Sequence, residues 1–198
     1  MTTATVAPVR RIAVPLETER GTFAMRLVIL TESFLFIALF ASYFMLENNK
    51  ERWRIEELPK LNFAIPLLIV LLLSSFVLHW GELQVRKQRY GAGRIALAFT
   101  ILIGLAFLTL QAFEYRSHWE HLTPSTDSYG SIFYTITSFH AAHVMVGLLI
   151  LAYVLVLPRY APARECPYRP YHVAAMYWHF VDVVWIFVVA ILYIGPHL

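Results

Sequence analysis

Residues 171–194 read YHVAAMYWHFVDVVWIFVVAILYI. As an α-helix rising 1.5 Å per residue, this run spans about 36 Å, more than a bilayer's hydrocarbon core of roughly 30 Å. Its apolar character is continuous. A barrel strand would alternate apolar with polar residues over about 10 positions, so a helix is predicted. Outward from this run, four more apolar stretches reach membrane-spanning length, at 23–46, 61–85, 95–115 and 130–157. The expected fold is an all-α membrane protein, a bundle of five transmembrane helices.

Composition agrees. Apolar residues make up 59% of the 198 and charged residues 15%, against roughly 45–50% and about 25% in soluble domains. A soluble fold of this size cannot hide so much apolar surface, and disorder is excluded with it. The net charge of +3 does not require nucleic acid, and no nucleic-acid partner is expected. An excess of Lys and Arg in short cytoplasmic loops gives the same balance. Cys166 is the single cysteine, so no intramolecular disulfide is possible.

Punctuation separates the spans. Pro59 precedes the second and Pro66 falls in its first turns, where a missing N–H does least harm. Gly91 and Gly93 precede the third, and Pro124, Ser125, Asp127 and Ser128 the fourth. Pro158, Pro162, Pro167 and Pro170 fill the last loop. Residues 1–21 read as a polar cytoplasmic tail without the apolar core of a signal peptide, and residues 22–198 as one transmembrane domain. With the N-terminus inside, 11 of the 16 Lys and Arg lie on the cytoplasmic side, among them Arg86, Lys87, Arg89 and Arg94. The positive-inside rule therefore predicts a cytoplasmic N-terminus and a periplasmic C-terminus.

Ionisable groups inside spans are costly and mark function. Glu32 lies roughly 14 Å into the first span, His140 and His143 roughly 15–20 Å into the fourth, and His179 and Asp182 roughly 12–17 Å into the fifth. All five fall near the bilayer's middle. His140 with His143, and His179 with Asp182, are three apart and share helix faces. A buried polar cluster of Glu32, His140 or His143, and Asp182 is the working expectation. Glu82, Glu114 and His79 lie near span ends and read as solvated. Trp53, Trp80, Trp119, Tyr90 and Tyr129 read as an interfacial aromatic belt.

Two chemistries fit these residues. The histidines form hydrogen bonds between helices, or two of them from different spans ligate a haem b, making an electron carrier. A proton-coupled transporter is a third reading, but no inverted repeat supports it. No phosphate loop, CxxC, HExxH or nucleophile–base pattern is visible.

The strings themselves bear a resemblance. GSIFYTITSFHAAHVMVG at 130–147 and YWHFVDVVW at 177–185 resemble segments of haem–copper oxidase subunit III. RLVILTESFLF at 26–36 is similar to that family's segment around its membrane-embedded glutamate, and QAFEY at 111–115 to its QxxEY. Many members have seven spans; the five here match the last five. The missing pair forms one arm of a lipid-holding cleft in those members. The resemblance implies a non-catalytic accessory subunit of a proton-translocating terminal oxidase in the bacterial inner membrane. It implies no haem or copper on this chain, those cofactors residing in partner subunits, and no metal role for His140, His143 or His179. It implies subunits I and II, structural phospholipids and a larger respiratory supercomplex as partners. Glu32 matches the family glutamate that reacts with hydrophobic carbodiimides. Cytochrome c oxidase is the expected type, with a ubiquinol or menaquinol oxidase as the alternative.

Overall fold

The computed structural model describes residues 17–48, 61–118, 128–156 and 168–197. Most of the tail, and Trp53, Trp119 and Cys166, lie outside the described residues. Five helices follow in order: α1 Glu17–Glu47, α2 Leu61–Arg86, α3 Tyr90–His118, α4 Ser128–Val156 and α5 Tyr168–Val188. The chain of α5 continues as a π-helical turn, Val189–Ile194, and a 3₁₀ turn, Gly195–His197. All five are long and apolar enough to cross a membrane. The multi-pass all-α bundle expected from the sequence is the observed architecture.

Two boundaries depart from expectation. Gly91 and Gly93 lie inside α3, because α2 and α3 are joined by only Lys87, Gln88 and Arg89. Gln88 adopts φ 60°. Its N–H bonds the Val85 carbonyl at 3.0 Å and Arg89 N–H bonds the Gln84 carbonyl at 2.9 Å, the paired bonds of a Schellman cap. A left-handed non-glycine closes the hairpin, so the glycines mark no turn. Pro170 sits in the first turn of α5, where a helix needs no N–H from it.

The helices α2 and α3 pack as an antiparallel hairpin, with α4 against α3 and α5 against α2. Helices α4 and α5 also pack on each other, and α1 lies across both. Trp178 on α5 is the keystone. Its ring is fully buried, and its indole N–H donates to Ser74 Oγ on α2 at 2.9 Å. A Cβ at Gly104 on α3 would stand 2.7 Å from the ring's Cη2, and one at Gly147 on α4 would stand 3.0 Å from Cε3. The two glycines leave the space one indole fills, so a single side chain ties four helices together. Tyr171 repeats the device one level away: its hydroxyl donates to the Leu78 carbonyl on α2 at 3.2 Å.

Candidate functional site: polar groups inside the bundle

The mid-depth residues fall into three separate groups rather than one cluster. The first joins α1 to α4. Glu32 Oε2 lies 3.0 Å from His143 Nε2, and His143 Nδ1 lies 2.7 Å from the Phe139 carbonyl one turn earlier. A carbonyl only accepts, so Nδ1 carries a proton. The second nitrogen then meets the carboxyl across one more proton, which sits on Glu32 or on the ring. Either way the pair is neutral as a whole, the form a low-dielectric site tolerates. Phe36 covers it, with ring centroids 5.0 Å apart. The Glu32 side chain remains about a third exposed (32%) on the chain's outer surface.

The second group joins α5 to α2. Ser75 Oγ bonds both His179 Nδ1, at 2.7 Å, and Asp182 Oδ2. Asp182 is buried, 3% exposed. The hydroxyl therefore mediates between the two residues that share a face of α5, and the sequence reading did not include it. The serine pair Ser74–Ser75 inside an otherwise aliphatic run was the available signal.

His140 stands apart as the third. It is buried, and its ring stacks on Trp185 with centroids 4.7 Å apart and planes 26° apart. Phe107 meets both rings edge-on, at 5.9 Å and 5.0 Å. Among the described residues neither ring nitrogen has a hydrogen-bond partner.

Two carboxylates expected to be solvated are not. Glu82 is 6% and Glu114 1% exposed. Glu82 Oε1 receives Tyr168 Oη at 3.1 Å and Arg86 Nη2 at 3.1 Å, and lies 3.0 Å from His172 Nδ1. Tyr168 stacks on His172 at 5.7 Å, and Arg86 lies over the Tyr168 ring at 5.0 Å. At the opposite end of the bundle, Glu114 accepts from Gln111 Nε2 at 2.8 Å and from Tyr193 Oη at 2.9 Å. Both acids lie near helix ends, as depth predicts, but aromatic side chains from the start of α5 and from its π-helical continuation roof them over. Tyr129 is likewise no belt residue: it is buried and donates to the Leu192 carbonyl at 3.0 Å. Trp80 and Tyr90 are exposed, and so is His79.

Among the described residues no group of three or more His, Cys, Asp or Glu is arranged to hold a metal ion. What the groups can do is hold protons and fasten helices. Each links helices far apart in sequence, and in Glu32–His143 the carboxyl side chain stays about a third exposed on the chain's surface.

Comparison with known proteins agrees with this architecture. The family model described as cytochrome c oxidase subunit III matches residues 16–196. The chain is 34% identical over 176 residues to cytochrome c oxidase subunit 3 of Synechocystis, covering 87% of this chain and 74% of that protein. It is 38% identical over 169 residues to the subunit 3 of Corynebacterium diphtheriae, covering 81% of each chain. With that of Bacillus subtilis it shares 30% over 167 residues, 82% of this chain and 80% of the relative. Five spans and these bacterial relatives make it a multi-pass protein of the bacterial inner membrane. The chain belongs to the cytochrome c oxidase subunit III family.

Proposed function

We propose that this chain is the non-catalytic subunit III of a proton-translocating cytochrome c oxidase, bracing subunit I, sustaining its proton uptake and holding structural phospholipid. The supporting observation is how the mid-depth imidazoles are used. Both nitrogens of His143 are engaged, by Phe139 and Glu32. Nδ1 of His179 is engaged by Ser75. His140 stacks on Trp185 and meets Phe107 in a T-shaped contact. Ligation of a metal by His143 would break one of its two bonds, whereas fastening α4 to α1 uses both. On this reading haems and copper belong to partner subunits, with subunits I and II as neighbours and a respiratory supercomplex as the larger setting.

The N-terminus lies in the cytoplasm and the C-terminus in the periplasm. The support is the basic α2–α3 hairpin, Arg86, Lys87, Arg89 and Arg94, read with the positive-inside rule. A C-terminal alkaline phosphatase fusion should be active; a cytoplasmic signal there overturns the orientation.

The functional test is removal of the chain from the assembled oxidase. Initial oxygen consumption should persist while activity decays faster during turnover. An initial rate of zero in an otherwise complete complex would overturn the accessory role.

A further inference from the structure

Most buried polar side chains of this bundle are answered from within it. Ser74 returns its hydroxyl to the Leu71 carbonyl, Thr100 to that of Ala96 and Thr137 to that of Phe133. The exceptions are not scattered. Among the described residues five buried side-chain nitrogens and oxygens have no hydrogen-bond partner, and four of the five lie on three residues: both ring nitrogens of His140, Oδ1 of Asp182 and Nε1 of Trp185. All three residues are buried, 1%, 3% and 0% exposed.

These residues stand together. His140 on α4 stacks on Trp185 of α5, and Asp182 precedes Trp185 by three positions on the same face of α5. Gly147 on α4 meets Trp178 on α5, so the two helices run antiparallel, with 140 level with 185 and 147 level with 178. Asp182 is therefore displaced from the level of His140 by about 4.5 Å along the axis. The rings cannot answer each other. Imidazole and indole nitrogens bond in the plane of the ring, and here the rings lie face to face with planes 26° apart. Asp182 engages Ser75 through Oδ2, which leaves Oδ1 over. Lipid tails supply neither donors nor acceptors.

We infer that the interface of α4 with α5 holds an internal water site, in which at least one ordered water bridges His140, Trp185 and Asp182. The inventory of groups selects the ligand. A neutral imidazole brings one donor and one acceptor, and the indole N–H a donor; Oδ1 of Asp182 is an acceptor as carboxylate and a donor when it carries the acid proton. An anion would serve only the donors and a cation only the acceptors. Water donates two bonds and accepts two, and buried waters typically make about three to otherwise unanswered groups. Through Asp182 the water is continuous with Ser75 and His179. The second and third mid-depth groups then form one hydrogen-bonded line from α2 across α5 to α4.

The site is tested by a density map of the purified complex that contains this chain, at a resolution that shows ordered waters. A peak should lie about 2.7–3.2 Å from Trp185 Nε1 and from a nitrogen of His140 or Oδ1 of Asp182. Absence of a peak, or a peak bonded to one of the three residues alone, overturns the bridge. So does a direct bond among the three side chains. The double variant His140→Phe, Trp185→Phe keeps two stacked rings and removes three of the four polar atoms, so the peak should vanish; its persistence at the same place overturns the assignment. Should that variant fail to assemble, the wild-type map decides alone. Density about 2.0–2.1 Å from a His140 nitrogen, a metal–ligand distance, would overturn the water and the metal-free role of this chain together. Loss of the water peak alone leaves that role standing.

Discussion

Helices α1 and α5 enter the membrane on equal terms and end in opposite places. Their spans have 28 and 27 residues and the same mean hydropathy, 2.0. Yet in an apolar 18-residue stretch of each, 11% is buried against the rest of the chain in α1 and 56% in α5. The difference lies in what each offers its neighbours. On α1, Thr31, Ser33 and Ser42 return their hydroxyls to carbonyls of their own helix, while Glu32 reaches across to His143. On α5, Tyr171 and Trp178 bond to α2, His179 and Asp182 share Ser75 of α2, and Tyr193 in its π-helical continuation reaches α3. Lipid tails are as apolar as leucine, so hydropathy brings a helix into the bilayer but not to another helix. Fitted volume and answered donors decide which helix becomes the centre.

The largest effect should therefore come from α5. Trp178→Ala removes the indole that meets Gly104, Gly147 and Ser74. Truncating a fully buried tryptophan costs about 3–5 kcal/mol in protein cores, and SDS titration of the micelle-bound chain should show a loss of that order. The reciprocal change overfills the same space. Gly147→Leu drives a side chain into Trp178, already 3.0 Å from where a Cβ would begin, and should cost about 1–3 kcal/mol in the same assay. A loss of less than about 0.5 kcal/mol for either, the level of an ordinary surface change, would mean that α5 is not the centre.

The same contrast explains what was legible in the sequence. Spans are written locally, as continuous apolar runs, and all five were readable. Partnership is written at long range. Glu82 and Glu114 looked solvated because their depth along their own helices places them near the ends. Their covers, Tyr168, His172 and Tyr193, come from a helix 79 or more residues away in the chain. Which of His140 and His143 meets Glu32 was equally hidden. Both share one face of α4, and the packing angle against α1 decides between them. Ser75 was overlooked because one hydroxyl in an apolar run usually returns to its own backbone, as Ser74 does to Leu71. The α2–α3 turn was misplaced because Gln88, not a glycine, supplies the positive φ.

The bond that holds α1 should be smaller than the keystone but measurable. A double-mutant cycle on Glu32→Gln and His143→Ala should give a coupling of about 0.6–1.7 kcal/mol, the range of hydrogen bonds between membrane helices. A coupling of zero would leave α1 held by its packed side chains, Phe36 and Tyr43 foremost. The same pair is open to chemistry. Glu32 is the mid-depth acid of the peripheral helix, about a third exposed, whereas Asp182 and Glu114 are 3% and 1% exposed. A hydrophobic carbodiimide should label this chain at Glu32 and not at the other two. Glu32→Ala should abolish labelling while leaving electron transfer intact, and undiminished labelling of that variant would refute a single reachable acid.

The smallest effect is the sharpest check on the comparison. Phe34 on α1 is 64% exposed and as large an apolar side chain as many in the core. In water, a phenylalanine so placed would invite burial; in the bilayer its surroundings are already apolar, and no donor or neighbouring helix depends on it. Phe34→Leu should thus change the stability of the isolated chain by less than about 0.5 kcal/mol, the range of substitutions away from packed features. The same substitution in the assembled oxidase separates lipid from protein on that face. An unchanged yield of complex means that tails cover Phe34. A loss of assembly with the isolated chain unaffected means that α1 turns its outer face to another subunit, and that its low burial belongs to the single chain rather than to the helix in its complex.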